Sequence, residues 1–376
     1  MFQSERLPWP SPWPTTSQLR LLQTLFGPDA RALDHYAGWR AAVDVEHDLD
    51  SASYRLLPML DARLRALGVS DDFSGRYKGV HRKTWVDNSL LFSDVAEVLA
   101  ALTQAGIKPA LSKGAPLAML HYRSHALRPM SDVDVVVREQ DLARAEAIIA
   151  GVPGWSRMGD RQREIARRYH HSINFDGRKG GIDLHWHFLF EARAAAVDDW
   201  FWNGARRFDF LGVEVLCPAP TALLLTVIVH GLRSNPASPI RWVADAVSIL
   251  RADPAAIDWK ELQAFAHRHR LGHRLGLGLH YLRTHFEAQI PAEVPERLLA
   301  GRRSLVERIE NTMYLGDPSA FLGSKRRLLW RGFVQYLPVL KARTGAGLLL
   351  RLPVRLPHFM RYVLVMYRQR RNASHA

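Results

Sequence analysis

The stretch Arg128-Pro-Met-Ser-Asp-Val-Asp-Val-Val-Val137 decides how this chain is read. Asp132-Val-Asp-Val-Val-Val137 is a compact β-branched run with the composition of a strand. Alternate residues of a strand share a face, so Asp132 and Asp134 point one way while Val133 and Val135 point the other. Two carboxylates so close repel, and burying the pair is costly without a cation. Hard divalent ions such as Mg²⁺ take oxygen ligands of this kind and fill the rest of their shell with waters and phosphates. The strand therefore points to a metal site that also holds a phosphate-bearing substrate. Asp-x-Asp alone is a weak signal, because a solvated strand end produces it as readily.

Three neighbouring features sharpen it. Pro109-Ala-Leu-Ser-Lys113 reads as a short strand and Gly114 as the start of a helix through about His125. A strand-to-helix junction leaves backbone N–H groups free and favours a phosphate, with Lys113 adding a cation and Gly114 allowing close approach. Arg128 sits just ahead of the Asp-x-Asp strand, where it can brace or neutralise the anionic cluster. Asp183 lies in a later strand and can supply a third carboxylate, with His185 two residues on sharing its face.

Outward from that centre, Asp141 to Ala150 reads as a helix stopped by Gly151-Val-Pro-Gly154. His171–Phe175 and Gly181–Trp186 read as paired strands joined by the turn-rich Asp176–Gly180. Strand, helix, strand, helix, hairpin is an α/β pattern confined to roughly residues 106–215. Residues 1–105 and 216–376 read as helical regions on either side. Leu19, Leu22, Leu25 and Phe26, then Leu56, Leu57, Leu60, Leu64 and Leu67, recur at helical spacing. So do Leu90, Leu91, Val95, Val98, Leu99 and Leu102, and these apolar positions read as core. Asp258 and Glu261 have capping-box spacing in the C-terminal region.

Ser112-Lys-Gly-Ala-Pro-Leu, Arg128 to Val137 and Gly181-Ile-Asp-Leu-His-Trp186 together resemble the polymerase-β nucleotidyltransferase superfamily. More narrowly, the chain resembles an uncharacterised bacterial nucleotidyltransferase family (the NTP_transf_5 group). That family shares a Lys-Gly loop, an Arg ahead of Asp-x-Asp and an Asp-Leu-His-Trp strand. The resemblance runs from about Thr15 to Leu250 and implies an α+β fold, a small mixed sheet with helices between mostly helical regions. It also implies a metal-dependent nucleotidyltransferase that moves a nucleoside monophosphate from an NTP, ATP for preference, to an acceptor hydroxyl and releases pyrophosphate. By the same resemblance Asp132, Asp134 and Asp183 would bind two Mg²⁺ ions, with Mn²⁺ as a substitute, and Asp183 would help activate the hydroxyl. Lys113, Gly114, Arg128 and His185 would serve the nucleotide. His230-Gly231 and Arg241-Trp-Val-Ala-Asp245 also follow the family pattern, with Asp245 as candidate base for the acceptor; its plain alternative is an i, i+4 pair with Arg241. One departure is the loop itself, where Ala115 and Pro116 stand in place of the superfamily's usual Ser or second Gly.

Composition is compatible with that reading without choosing it. The chain is 47% hydrophobic and 23% charged, ordinary for a folded protein with a substantial core. A net charge of +14 favours anionic partners, among them nucleotides, nucleic acid or an acidic membrane face. The charge supports an alternative, a non-catalytic nucleotide- or nucleic-acid-binding or antitoxin-like protein of the same fold, but no single element combines basic and aromatic residues in a stripe. Gly345 to Arg371 mixes Leu, Val, Phe and Tyr with many Arg, as an interfacial helix would, but Pro353 and Pro357 interrupt it. The one cysteine, Cys217, excludes an internal disulfide and reads as a packed thiol. Four histidines, His170, His171, His185 and His187, invite zinc, but adjacent His170 and His171 would face opposite sides of a strand. No apolar run is long enough for a spanning helix and no signal peptide is evident, so the expected location is the cytoplasm. The acceptor, whether small molecule, peptide or protein side chain, is not specified.

Overall fold

A seven-stranded mixed sheet organises the computed structural model, which describes residues 12–233 and 240–315. The basic segment Gly345–Arg371 lies outside the described residues. In chain order the strands are β1 (Ala110–Ser112), β2 (Asp132–Val136), β3 (Ser156–Arg157), β4 (Ser172–Asp176), β5 (Gly181–His185), β6 (Arg206–Phe210) and β7 (Val213–Cys217). Across the sheet they run β3-β4-β5-β2-β1-β7-β6. The central strand β2 pairs antiparallel with β1 and parallel with β5, while β4 and β5 form the expected antiparallel hairpin. The α+β core between helical regions expected from the sequence is the fold observed. Among the described residues no helix is long and apolar enough to cross a membrane.

The sheet extends further than the sequence reading carried it. β6 and β7 form a hairpin whose turn residues, Leu211 and Gly212, have φ of 52° and 83°. Positive φ at both central positions is what a type I′ turn requires. Phe208, Phe210, Val215 and Cys217 alternate into the core, and β7 docks alongside β1. Burial pushes the Cys217 thiol up to about 12, in keeping with a packed residue. The expected helix from Gly114 to His125 is shorter and broken. A first turn, Gly114–Pro116, widens into a π-type turn over Leu117–His121, and Arg123 at φ 57° ends it before a 3-10 turn at His125–Leu127.

One 31-residue helix, Ser74–Gln104, spans the N-terminal part of the core. Its buried residues Tyr77, Val80, Thr84, Asn88, Leu91, Val95, Val98 and Leu102 follow one another three or four apart, the period of a single helix face. Leu90, expected on that face, is exposed instead. On the C-terminal side the helices Pro220–Gly231 and Arg241–Ala252 pack at close range. A Cβ on Gly231 would lie 2.1 Å from the Cβ of Trp242, so only glycine permits that approach. Asp258 caps the helix Trp259–Arg268 by accepting from the Glu261 N–H at 2.8 Å. The Glu261 carboxylate does not return the cap and accepts from Trp200 Nε1 instead.

A buried cluster fastens this helical part. Glu191, 1% exposed, accepts from Arg233 and from Arg274, the latter at 3.2 Å. Burial opposes its charge, but the guanidiniums of Arg233 and Arg274 outweigh burial and hold its carboxyl at about 2.

Two outcomes are expected. Gly231→Ala should lower the free energy of unfolding by about 1–3 kcal/mol in urea, because the added methyl meets Trp242. Glu191 is depressed on folding, so its contribution is present above its ordinary value of 4.5 and is lost as pH falls towards about 2. That contribution is about 3 kcal/mol. Glu191→Gln should therefore be less stable at pH 7 and lose stability less steeply than the parent between pH 4.5 and 2, by denaturation at stepped pH.

Candidate active site

Parallel pairing of β2 with β5 sets Asp132 level with Gly181, Asp134 with Asp183 and Val136 with His185. Asp183 and His185 are two apart on β5 and so share a face. Asp134, Asp183 and His185 each bring a ligand atom to within 4.8 Å of the others. His185 Nε2 is 2.9 Å from Asp134 Oδ1 and 3.0 Å from Asp183 Oδ2. The Lys113 ammonium donates to the same Asp134 oxygen. Asp183 Oδ1 is buried and has no hydrogen-bond partner among the described residues. Asp132 opens onto the same cleft but outside that close group.

The charges at these positions depend on one another. Burial works against a charged Asp134, yet Lys113 and His185 outweigh it and hold the carboxyl well below the usual carboxylate range. Asp183 behaves alike: burial opposes its charge and His185 overcomes it. Asp132 goes the other way, raised by burial and by the negative charges of Asp134 and Asp183. At His185 burial disfavours the cation, but Asp183 and Asp134 prevail and raise the imidazole above its ordinary value.

Backbone geometry explains how Lys113 reaches Asp134. Lys113 has φ 51° and ψ −106°, a conformation costly for a side-chain-bearing residue, at the junction between β1 and the following turn. β1 places Ser112 level with Asp134, so the next residue leans over the carboxylate. Gly114 is needed for packing as well as for any ligand. A Cβ there would lie 2.9 Å from Met130 Sδ and 3.0 Å from an Arg128 guanidinium nitrogen. The Arg128–Met130 segment is in turn held by Asn88 of the long helix. Asn88 Nδ2 donates to the Arg128 carbonyl at 2.8 Å, and Asn88 Oδ1 accepts from the Met130 N–H at 3.2 Å.

Arg128 and Asp245, expected at the nucleotide and as acceptor base, pair with each other. Arg128 Nε and Nη2 donate to the two Asp245 oxygens at 2.8 and 2.9 Å, and Tyr122 Oη donates to Oδ1 at 2.7 Å. Both groups are buried. Both oxygens of the proposed acceptor base are thus already engaged, and the geometry makes Asp245 an anchor for Arg128. Nor does Asp245 pair with Arg241 across the helix turn. Arg241 Nη1 donates to the Pro129 carbonyl at 2.7 Å. Burial and the neighbouring guanidinium of Arg128 push Arg241 down to about 10. His187 pairs with Asp198 at 2.6 Å, and neither it nor His170 or His171 joins the ligand group, so no zinc set forms from the four histidines.

The carboxylates form one wall of a cleft of about 660 Å³. The other walls come from Ser51, Ala52, Tyr54 and Arg55, from Val227, His230 and Gly231, and from Arg241, Trp242 and Asp245. Ser51, Tyr54 and Arg55 went unread in the sequence, since nothing in the apolar spacing of the N-terminal region marks them. Asn88 did leave a signal, as a polar residue in register with the buried face of its helix.

The donor set fits a divalent cation. Two carboxylates and an imidazole converge, one carboxylate oxygen has no hydrogen-bond partner, and the strand register holds them without further movement.

Residues 51–287 match the model of a family described as uncharacterised nucleotidyltransferase. No curated protein matches the chain. Among solved structures it is similar to the antibiotic-resistance factor ANT(2'')-Ia in solution, at 13% identity over 48% of this chain and 97% of that one, TM-score 0.33. The crystal structure of ANT(2")-Ia in complex with adenylyl-2"-tobramycin gives 13% identity over 48% and 96%, TM-score 0.34. An antigenic nucleotidyltransferase-like protein from Paracoccidioides brasiliensis gives 15% identity over 55% and 96%, TM-score 0.36. Likenesses this shallow leave the site to be argued from its own geometry.

Asp245→Asn should cost about 3–5 kcal/mol of stability, because it leaves Arg128 buried without its counter-charge. Replacing both partners, Arg128→Met with Asp245→Leu, should recover much of that loss in urea denaturation.

Proposed function

Because the chain belongs to the uncharacterised nucleotidyltransferase family, we propose that its cleft binds an NTP and a divalent cation together and transfers the nucleoside monophosphate to an acceptor hydroxyl. The observation that carries the reading is that carboxylates and cationic side chains meet in one cleft. Asp132, Asp134 and Asp183 line it from the sheet with Lys113 near them, and Arg55 and Arg241 line it from the helical regions. Arg241 is destabilised as a cation by burial and by Arg128, with Arg55 adding to it. A triphosphate supplies the anion those guanidiniums lack. On the sheet wall the carboxylates need the cation, and a phosphate-bound divalent ion meets both demands at once.

Asp134 and Asp183, with Asp132 beside them, are the residues that would hold the ion. Bound there, a divalent cation offsets charge on the reacting phosphate and on the leaving pyrophosphate. Lys113, which donates to Asp134, would turn its ammonium to the phosphates once an ion is held there. Arg241 and Arg55 grip the triphosphate from the helical regions and fix its direction. The acceptor hydroxyl oxygen attacks the α-phosphorus as the bond from that phosphorus to the β-phosphate's bridging oxygen breaks. Pyrophosphate leaves along that line, and the hydroxyl proton passes to the carboxylate of Asp183 where it lines the cleft. Arg128, locked to Asp245, keeps the β2 approach rigid and sets the wall's position. The size of the cleft admits a nucleotide and part of an acceptor.

Calorimetry of ATP, GTP, CTP and UTP with Mg²⁺ or Mn²⁺ tests this. At least one NTP should bind in the micromolar to millimolar range only when the metal is present. Asp134→Asn and Asp183→Asn should each abolish the metal-dependent part. Arg241→Ala should weaken NTP binding about tenfold or more while leaving metal binding intact. Metal-independent binding, or binding indifferent to both Asp changes, would sink the proposal.

A further inference from the structure

We infer that the cation site on β2 and β5 is a mixed oxygen–nitrogen site, with His185 Nε2 a direct ligand beside Asp134 and Asp183, and that it selects Mn²⁺-like transition ions over Mg²⁺. This rests on the reading of those carboxylates as metal ligands. It goes further by assigning the third donor to an imidazole that nothing in the Asp-x-Asp pattern requires.

Geometry carries the assignment. Ligands about 2.1 Å from a six-coordinate ion and adjacent to one another stand about 3 Å apart. His185 Nε2 is already 2.9 Å from one carboxylate oxygen and 3.0 Å from an oxygen of the other. Those separations come from two neighbouring strands in fixed register. His185 is 2% exposed, and the His171 ring stands edge-on to it with centroids 4.8 Å apart, so the imidazole has little room to turn away. Hydrogen bonding alone explains the arrangement less well. Nε2 carries at most one hydrogen and faces two carboxylates, leaving one of its contacts without a proton. With the ring proton on Nδ1, which is buried without a hydrogen-bond partner among the described residues, Nε2 presents a lone pair that a cation held by both carboxylates can take.

The chemical consequence follows from ligand type. Carboxylate and water shells suit Mg²⁺, which demands oxygen and holds its waters tightly. An imidazole donor moves preference away from Mg²⁺ towards first-row transition ions, among which Mn²⁺ is the one that also suits carboxylate and water. Of these, Mn²⁺ keeps six-coordinate geometry and tolerates phosphate oxygens, which suits a site that must also accept a triphosphate.

The experiment uses the full chain loaded with Mn²⁺ and reads nitrogen coupling to the ion by pulsed electron paramagnetic resonance. The parent should show a directly bound ¹⁴N whose signal changes to that of ¹⁵N when the protein is made with ¹⁵N-histidine, a comparison that needs no variant. The coupling should vanish in His185→Gln and persist in His230→Gln, which alters a different cleft imidazole. Mn²⁺ affinity should fall about tenfold or more in His185→Gln while Mg²⁺ affinity, by competition, moves less than about threefold. Mn²⁺ bound in an Asp134-dependent way without histidine nitrogen coupling, or with coupling that survives His185→Gln, would overturn the nitrogen ligand and leave the nucleotidyltransferase reading in place. No Mn²⁺ binding, or binding unchanged by Asp134→Asn and Asp183→Asn, would overturn the carboxylate site and this inference with it.

Discussion

Asp134 and Asp183 sit level on adjacent parallel strands, and the repulsion between them shapes everything nearby. Two carboxylates at that spacing in a partly buried wall cannot both stay ionised without nearby positive charge. The fold supplies it twice. His185 reaches both carboxylates from β5 itself, and Lys113 is bent over Asp134 by a backbone conformation that ordinarily favours glycine. Strain at Lys113 and burial of an imidazole are both unfavourable alone; they persist because they neutralise a worse conflict.

Rigidity comes from a second ring of contacts. Arg128 precedes β2 and is locked to Asp245, so the sheet is tied directly to the helix Arg241–Ala252. Asn88 ties the same segment to the long N-terminal helix. Three regions far apart in sequence therefore fix where the Asp-x-Asp strand begins. Gly231 brings the helix Pro220–Gly231 against Trp242, and both residues line the cleft. The dimensions of the cleft are consequences of those packing contacts.

What the sequence made legible was the part governed by short-range periodicity. Alternation placed Asp132 and Asp134 on one face, and the hairpin from His171 to Trp186 followed from its turn-rich link. The β6–β7 hairpin escaped because its turn, Leu211-Gly212, lacks the Asn or Asp that usually marks a type I′ turn. Site residues that act through tertiary contacts were harder. Asp245 reads as a free acid one helix turn from Arg241, and only the folded chain brings Arg128 to it from 117 positions away. Arg55 and Tyr54 carry no pattern at all; only the folded chain brings them to the cleft. Strand alternation had already set His185 beside Asp183, but that His187 turns to Asp198 was not legible, because it lies past the strand end.

The two histidines show how far a two-residue period can be pushed. His185 is the last residue of β5 and keeps the strand's alternation, so it inherits the face that Asp183 defines. His187 lies beyond the strand, where alternation no longer governs direction, and its ring is captured by a carboxylate from the helix Ala195–Asn203. The length of β5 therefore decides which imidazole is delivered to the site. Ending it one pair earlier would leave the carboxylates with Lys113 alone. Their mutual repulsion would then fall on a single ammonium. With His185 in place, two groups from separate segments of the chain share it.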